Sequence, residues 1–296
     1  MVEYLKQEYQ LKKENLDHAD SIAAKYRKPL NVKVKTALLR LMGEDLLAYI
    51  QGVRFYFLLK KGIDFEPELK ILPNLINEGD VVVDVGANGA NWTFAMDQVV
   101  GKEGKVYAFE ADPYYAKATK IASKLLGCAS ATVFPFGLSN VPGEFCLRIF
   151  DGRGERLSGT GSINRDMEGN ASDYQKVELK TLDSMVSDFP DLGSVSLIKC
   201  DVEGFELFVF QGASQLLDEA RPIVIFEVGR FSEQGYTNED IFSFFHEKEY
   251  KAFVSVPGEM ISQVPDSLEC DDAIGANRIM VPSEKVDQLA NLVREG

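Results

Sequence analysis

An acidic residue and two glycines stand where a hydrophobic run meets a helix-forming segment. Residues 81–84 read Val-Val-Val-Asp, and consecutive β-branched residues are typical of a strand buried on both faces. Gly86 and Gly89 allow a tight turn and the close approach of a ligand to the backbone. Residues 91–100 then carry apolar side chains at helical spacing. The stretch predicts a strand, a glycine turn and a helix, which is the first half of a nucleotide-binding βαβ unit.

The spacing of this turn distinguishes between two classes of nucleotide ligand. Dinucleotide-binding turns have the pattern G-x-G-x-x-G, whereas Asn88 occupies the place of the second glycine here. The next predicted strand, residues 105–109, is followed by Glu110, and an acid at that point can accept hydrogen bonds from both ribose hydroxyls. Asp84 suits a cationic amino-acid tail better than a pyrophosphate. These residues predict S-adenosylmethionine as the cofactor, with a glycine turn that binds no ligand as the alternative.

A second cluster of charged residues follows the predicted buried strand at residues 195–201. Lys199, Asp201, Glu203 and Glu206 crowd the end of this strand. Because side chains alternate along a strand, Lys199 and Asp201 can lie on one side of it. Buried charge is costly unless it is paired or used. We therefore interpret Asp201 and Glu203 as functional residues and Glu206 as a helix-capping acid.

Composition argues against several classes of function. The 296-residue chain has a net charge of −14 and a pI of about 4.7, which disfavours non-specific binding to nucleic acid. No apolar run is long enough for a transmembrane helix, and the charged N-terminus is not typical of a secretory signal. The four cysteines are too widely spaced for a zinc site or a dense disulfide framework. We expect a cytoplasmic protein with reduced thiols and predict no metal site.

The remaining chain alternates between predicted helices and strands, which indicates an α/β fold with a mostly parallel sheet and helices on both faces. Residues 1–50 are interpreted as an N-terminal helical extension and residues 51–296 as one domain. Residues 151–175, rich in Gly, Ser, Asn and Asp, are predicted to form a mobile lid or substrate loop. Further strands are predicted at residues 52–59, 131–138, 145–150, 176–182, 222–228, 251–256 and 278–281. Further helices are predicted at residues 112–126, 205–217, 238–249 and 282–294.

The two clusters together resemble the motifs of one protein family. DVGANG at residues 84–89 and IKCDVEGFE at residues 198–206 are similar to the FkbM-type methyltransferases. Supporting matches are FEPE at 65–68, FE at 109–110, Gly161-Ser162, TLD at 181–183, RP at 221–222 before a strand ending in Glu227, and Asn277 before the last strand. The similarity extends from about residue 52 to residue 282 and leaves residues 1–50 outside it.

The resemblance implies a Rossmann-like class I methyltransferase fold with a seven-stranded sheet and S-adenosylmethionine as the cofactor. It implies an O-methyltransferase that acts on a hydroxyl of a sugar, polysaccharide or related metabolite. The residues that would surround the methionine part of the cofactor are Asp84, Gly86, Asn88, Gly89 and Thr93. Glu110 would bind the ribose, and Asp201 and Glu203 would face the reacting centre. The other predicted cofactor-binding residues are Ala87, Ala111, Gly137, Leu138 and again Asp201.

Methyl transfer to a hydroxyl requires that oxygen, methyl and sulfur be aligned and that the hydroxyl lose its proton. The chain has two histidines, His18 and His246, and neither lies near the motifs. A carboxylate is therefore predicted as the base. The candidates are Asp201, Glu203 and Glu227, with Lys199 tuning the pKa of the base or holding the acceptor oxygen.

Two alternatives to a hydroxyl-methylating enzyme remain open. The first is a nucleic-acid or N-methyltransferase, against which the acidic composition and the absence of an Asn-Pro-Pro-aromatic loop both count. The second is a non-catalytic module that binds the cofactor without turnover, which would have no reason to keep buried charge. The expected partner is a glycan or small-molecule acceptor. The N-terminal helices would form a homo-oligomer or pack on their own domain.

Overall fold

The computed structural model describes residues 30–61, 66, 68–150, 156–157, 163–164, 171–228, 234–256, 260–264 and 277–293. The chain divides into two compact units, Met1–Leu47 and Ala48–Gly296. Several predictions lie outside the described residues. They concern the first part of the N-terminal extension with His18, Phe65 and Pro67 of the FEPE match, Gly161-Ser162, and most of the predicted lid at residues 151–175.

The described strands form two sheets. In chain order they are β1 (Val81–Val85), β2 (Lys105–Phe109), β3 (Ala131–Phe134), β4 (Gly137–Leu138), β5 (Gly143–Arg148), β6 (Ile163–Asn164), β7 (Tyr174–Lys180), β8 (Val195–Cys200), β9 (Ile223–Glu227), β10 (Tyr250–Val256), β11 (Met260–Gln263) and β12 (Asn277–Pro282). The larger sheet has eight strands in the order β11-β10-β12-β9-β8-β1-β2-β3. The smaller has the order β4-β7-β5-β6.

The register of the larger sheet brings the charged residues to one edge. β1 pairs in parallel with β2 and β8, and Asp84 lies opposite Lys199 of β8. β12 runs antiparallel to β9, and Asn277 lies opposite Glu227. In open α/β sheets, ligands bind outside the carboxyl ends of the parallel strands. These pairings therefore collect four polar side chains at the edge where a ligand is expected.

The predicted α/β fold with a mostly parallel sheet is confirmed, but the sheet has eight strands instead of seven. The additional strand is β11, which pairs antiparallel with β10 at the edge of the sheet. The segment at residues 131–138, predicted as one strand, is also divided between the two sheets. Pro135 separates β3 from β4, and a proline cannot donate to a strand ladder, so the pairing ends there.

The described helices are α1 (Leu30–Lys60), α2 (Glu68–Leu75), α3 (Asn91–Val100), α4 (Pro113–Leu126), α5 (Leu182–Met185), α6 (Glu206–Gln211), α7 (Ser214–Glu219) and α8 (Asn238–Glu247). The strand predicted at residues 52–59 is wrong, because α1 continues through it. Its aromatic residues favour a strand in isolation, but here Phe55 packs against Tyr115 of α4, with ring centroids 6.4 Å apart. Tertiary packing has overridden the local β propensity.

Two other predicted helices have different limits. Residues 205–217 form α6 and α7 instead of one helix, and the Asp183 carboxylate accepts hydrogen bonds from the first turn of α7, from Gln215 N at 3.0 Å and Leu216 N at 2.9 Å. This cap makes a separate helix start at that point. The closing helix predicted at residues 282–294 is a 3₁₀ helix over Ser283–Leu289.

Apolar packing holds these elements around the larger sheet. One buried cluster joins α2 and α3 to the central strands and includes Ile71, Trp92, Leu197 and Ile279. A second cluster lies on the smaller sheet and contacts Phe205, the residue that precedes α6. The region between the glycine turn and the smaller sheet is therefore bordered by rigid, packed elements.

Gly52 is expected to be essential for the contact between α1 and α4. A Cβ at this position would lie 2.6 Å from the Ala118 carbonyl oxygen and 2.7 Å from Ile121 Cβ. Gly52→Ala should therefore lower the free energy of unfolding by about 1–3 kcal/mol, although alanine is the better helix former. Urea unfolding provides the measurement. Gly193→Ala is the matched control, because its Cβ would meet only Val186 at 3.9 Å. Equal stability of both variants would contradict the packing argument.

Candidate functional site

The glycine turn after β1 is in direct backbone contact with the segment after β8. Gly86 has a φ of 85°, and a Cβ there would lie 1.9 Å from the Asp201 carbonyl oxygen. Only glycine fits at this approach. The Gly86 N–H donates to the Phe109 carbonyl at 2.9 Å, and the Asp201 N–H donates to the Val85 carbonyl at 2.9 Å. These bonds fix the turn beside the ends of β2 and β8.

Glu110 lies directly after β2 and faces the turn. Its Oε2 accepts a hydrogen bond from Asn88 N at 2.9 Å, and its Oε1 accepts one from Asp112 N at 2.9 Å. Burial raises the pKa of Glu110 to about 7, against the two hydrogen bonds, which act to lower it. A carboxylate oxygen can accept more than one hydrogen bond. Glu110 is therefore held in a fixed orientation with capacity left for a ligand's hydroxyls.

Asp84, near the end of β1, is almost completely buried. The Thr93 hydroxyl of α3 donates to Asp84 Oδ2 at 2.5 Å. Burial raises the pKa of Asp84 to about 6, while the Thr93 hydrogen bond and the positive charge of Lys199 oppose this effect. Thr93 is itself buried, and its hydroxyl orients the Asp84 carboxyl through this hydrogen bond.

Lys199 carries a buried ammonium group at the end of β8, with 1% of the residue exposed. Its Nζ donates to Asn277 Oδ1 at 3.1 Å, lies 3.8 Å from Asp201 Oδ2, and lies 5.3 Å from the centre of the Trp92 ring. Burial alone would lower the pKa of Lys199, but the surrounding carboxylates, led by Asp201 and Glu66, raise it above its usual value. The ammonium therefore stays charged within the protein interior.

Asn277 connects this ammonium to two further acids. Its Nδ2 donates to Glu66 Oε2 at 3.1 Å and to Glu68 Oε2 at 3.0 Å, while its Oδ1 accepts from Lys199. The sequence identified Asn277 only through the family resemblance and assigned it no role. Two adjacent polar residues, Asn277 and Arg278, at the start of a strand that is otherwise apolar are the signal that could have drawn attention to it. The contacts themselves depend on distant parts of the chain.

Glu206 is an acid in the first turn of its helix, but the hydrogen bonds of its side-chain Oε1 go to the preceding loop and not to a helix cap. It is the first residue of α6, and its Oε1 accepts hydrogen bonds from Val202 N at 3.0 Å and Gly204 N at 3.3 Å. Burial raises the pKa of Glu206 to about 7, although the hydrogen bond from Val202 opposes this change. Glu206 therefore supports the loop that carries Asp201 and Glu203.

A first cavity opens between the glycine turn and the smaller sheet. Glu110 and Glu203 line it together with Arg148 of β5. Its apolar lining residues are Val85, Phe109, Ala111, Leu138, Leu147, Ile149, Leu157, Ile163 and Val202. The cavity thus combines an apolar surface with a few charged groups, as small-molecule sites do.

Arg156 pairs with Asp112, which lines this cavity. Its Nη2 donates to both Asp112 carboxylate oxygens, at 2.7 and 2.8 Å, and its guanidinium lies 4.3 Å from the centre of the Tyr114 ring. Asp112 also caps α4 by accepting from Tyr114 N at 2.8 Å, at the start of the helix predicted from residue 112. The sequence did not predict the pairing of Arg156 with this cap.

A second cavity lies on the other side of the turn. It is lined by Phe55, Leu58, Leu59, Glu66, Asp84, Gly86, Ala87, Asn88, Gly89, Asn91, Trp92, Lys199 and Asp201. Gly86, Asn88 and Asp201 also line the first cavity. The two cavities therefore meet at the glycine turn and the Asp201 side chain.

The predicted site residues divide between these cavities. Of the predicted cofactor-binding residues, the first cavity contains Gly86, Asn88, Glu110, Ala111, Gly137, Leu138 and Asp201. The second contains Asp84, Gly86, Ala87, Asn88, Gly89 and Asp201. Of the predicted catalytic residues, Glu203 lines the first, Lys199 the second and Asp201 both. Thr93 and Glu227 line neither, and Glu227 lies beside Asn277 at the end of β9.

Two kinds of feature are absent from the described residues. No group of three or more His, Cys, Asp or Glu side chains in this part of the chain is arranged to hold a metal ion. None of the described helices is both long and apolar enough to cross a membrane.

The raised pKa of Glu206 predicts how the free energy of unfolding depends on pH. Its pKa rises from an ordinary value of 4.5 to about 7, so the folded protein binds this proton more tightly than the unfolded chain. This contribution to stability is fully present below the ordinary pKa and is lost as the pH rises through about 7. Glu206→Gln should therefore reduce the loss of unfolding free energy between about pH 5 and pH 8.

Urea unfolding across this pH range measures the effect, with exposed Glu144→Gln as the matched control. Asp84 and Glu110 also have raised pKa values, so part of the pH dependence should remain in the variant. An unchanged slope in Glu206→Gln would contradict the prediction.

Comparison with known proteins supports the resemblance found in the sequence. No curated protein matches the chain. The methyltransferase FkbM from Methylobacillus flagellatus is 14% identical with a TM-score of 0.46, and the match covers 83% of this chain and 60% of that one. A SAM-dependent methyltransferase from Aquifex aeolicus is 12% identical with a TM-score of 0.39, covering 73% of this chain and 89% of that one.

A SAM-dependent O-methyltransferase from Thermotoga maritima is 13% identical with a TM-score of 0.35, covering 72% of this chain and 62% of that one. The model of the methyltransferase FkbM domain matches residues 84–252, which include both motifs of the site. The predicted methyltransferase class is therefore confirmed. Because this match spans more than half of the sequence, the chain belongs to the FkbM methyltransferase family.

Proposed function

We propose that this chain is an S-adenosylmethionine-dependent O-methyltransferase acting on a hydroxyl of a sugar, polysaccharide or related metabolite. The observation that carries this proposal is the meeting of two cavities at Gly86, Asn88 and Asp201. Methyl transfer needs a donor and an acceptor on opposite sides of the transferred group. Two cavities that share one wall provide this arrangement.

S-adenosylmethionine is the cofactor that the family match supports, and the residues present fit it. Glu110 offers an oriented carboxyl with spare acceptor capacity for the ribose hydroxyls. Apolar side chains of the first cavity suit the adenine, and the carboxyl groups of Asp84, Asp201 and Glu203 suit a cation. When bound, the cofactor supplies a methyl group on a positively charged sulfur. In this assignment the nucleoside occupies the first cavity and the methionine part lies along the glycine turn.

Asp201 is the best-placed base among the predicted candidates. It lines both cavities, so its carboxylate can reach a hydroxyl at the shared wall and accept its proton as the oxygen is methylated. Lys199 lies 3.8 Å from Asp201 Oδ2 and positions this carboxylate, while Asn277 holds the ammonium from behind. Glu203, which lines only the first cavity, and Glu227, which lines neither, are the alternative bases.

Composition and the state of the cysteines support the proposed acceptor class and location. The net charge of −14 supports a glycan or small-molecule acceptor instead of a nucleic acid. Within the described residues, Cys128, Cys146 and Cys200 are free thiols, which supports a cytoplasmic location. A homo-oligomer formed through the N-terminal helices stays part of this proposal.

Cofactor binding should depend on the Glu110 carboxylate. Glu110→Gln keeps one side-chain oxygen, which can still accept a hydrogen bond from the turn. It replaces the other oxygen by an NH₂ group, which cannot accept a hydrogen bond from a ribose hydroxyl. S-adenosylhomocysteine, used as a stable probe, should bind about tenfold more weakly to this variant, a difference of about 1.4 kcal/mol. Isothermal titration calorimetry measures the affinity, and Glu144→Gln serves as the exposed control. Wild-type affinity in Glu110→Gln would exclude the ribose assignment.

Methyl transfer should depend on Asp201 more than cofactor binding does. Asp201→Asn has nearly the same shape but cannot accept a proton, so turnover should fall by about 10²–10⁴. Affinity for S-adenosylhomocysteine should change little. The assay is transfer of a tritiated methyl group to fractionated glycans and alkyl glucosides, and Asp218→Asn, an exposed carboxylate paired with Lys248, is the control. Full turnover in Asp201→Asn together with its loss in Glu203→Gln would identify Glu203 as the base.

A further inference from the structure

We propose that the second cavity binds an acceptor that carries its hydroxyl on an uncharged group with an apolar face, and that helix α1 selects this acceptor. The inference rests on the proposed function, because it concerns the second substrate of the same reaction. It narrows the acceptor class to alkyl or aryl glycosides and hydroxylated metabolites of similar polarity, and it disfavours free sugars and phosphorylated or nucleotide-linked sugars.

The second cavity has two chemically different walls. Phe55, Leu58 and Leu59 line it from α1, and Trp92 lines it from α3. Its charged lining residues are Glu66, Asp84, Lys199 and Asp201. A ligand that fills this space must therefore place apolar surface against α1 while a polar group reaches Asp201. A bare, fully hydroxylated sugar would gain little from the α1 wall, whereas an attached alkyl or aryl group would bury apolar area there.

The charged wall argues against an anionic acceptor. It contains three carboxyl groups and one ammonium, that of Lys199. The ammonium is already hydrogen-bonded to Asn277 and lies 3.8 Å from Asp201 Oδ2. A phosphate or a carboxylate bound here would add negative charge to a partly buried wall in which carboxyl groups already outnumber ammonium groups, which is unfavourable. The acceptor is therefore expected to be uncharged.

Trp92 adds a polar group to the apolar side. Its Nε1 is buried and has no hydrogen-bond acceptor among the residues that the structure describes. A buried donor without a partner costs free energy, and a ligand oxygen could remove this cost. The indole, which lines the cavity, also contributes apolar surface to it. Both properties suit an amphipathic ligand better than a wholly apolar one.

The α1 wall lies outside the segment that the family model matches. The family match begins at residue 84, whereas the three lining residues of α1 lie at positions 55–59. The methyl-transfer motifs and the apolar wall therefore belong to different segments of the sequence. This separation assigns acceptor choice to α1 and transfer chemistry to the turn and the carboxylates.

The experiment uses the single tryptophan of the chain as a local reporter. Because that residue, Trp92, lines the cavity, its fluorescence should change when a ligand enters. The full-length protein, saturated with S-adenosylhomocysteine, is titrated with hexyl β-D-glucopyranoside, glucose and glucose 6-phosphate. The first two probes differ in the alkyl group, and the last two differ in charge. Hexyl glucoside should bind at least tenfold more tightly than either of the others.

Variants of α1 test the origin of this preference. Phe55→Ala and Leu58→Ala should each reduce the preference for hexyl glucoside at least threefold while leaving the affinity for S-adenosylhomocysteine unchanged. Phe57→Ala is the matched control, because Phe57 is 56% exposed and does not line the cavity. The second variant is included because Phe55 also packs against Tyr115, so its removal can weaken the fold.

The outcomes separate this inference from the proposed function. Binding of S-adenosylhomocysteine together with equal affinities for the three probes, or with no binding of any probe, would overturn the acceptor assignment and leave the cofactor assignment intact. An unchanged preference in both folded α1 variants would overturn the role of α1. Failure of S-adenosylhomocysteine to bind at all would instead contradict the proposed function.

Discussion

The buried ammonium of Lys199 is the charge around which the carboxyl ends of the strands are arranged. A cation that is 1% exposed is tolerated only where other groups replace its hydration. Here Asp201, Asn277 and Glu66 provide that replacement from separate parts of the chain. Loss of one partner would leave a buried charge that the others cannot fully compensate. The same contacts therefore stabilise the strand ends and set the position of the Asp201 carboxylate.

The parts of the fold that the sequence predicted well are governed by local interactions. The valine run, the glycine turn and the amphipathic segment after it lie next to one another, and β1 and α3 form where these patterns place them. Asp112 likewise caps the helix that follows it. The motif residues that line the two cavities could also be predicted from the sequence. They follow β1, β2 and β8, and the ends of these parallel strands meet at one edge of the sheet.

The features that the sequence did not predict depend on contacts between distant residues. The segment at residues 52–59 has strand-forming aromatic residues, and its helical state depends on packing against α4. Asn277 and Glu68 are 209 positions apart, and nothing local to either indicates their hydrogen bond. The short edge strand β11 is defined by its pairing with β10 and by a bridge between Ile261 and Val293, more than 30 positions away. The motifs therefore indicated where the chemistry lies, but they did not reveal the second cavity's apolar wall.

The contact between Gly86 and the Asp201 carbonyl has an evolutionary consequence. A Cβ on residue 86 would lie 1.9 Å from the Asp201 carbonyl oxygen, so a larger residue would force the two backbone segments apart. That movement would break the hydrogen bonds that hold the turn. Substitutions at this junction are therefore tolerated only where the side chain points away from the contact. Leu58 and Leu59, which line the second cavity from α1, are not part of this junction. Paralogues that descend from one ancestor can thus diversify their substrates through α1 while inheriting the junction unaltered.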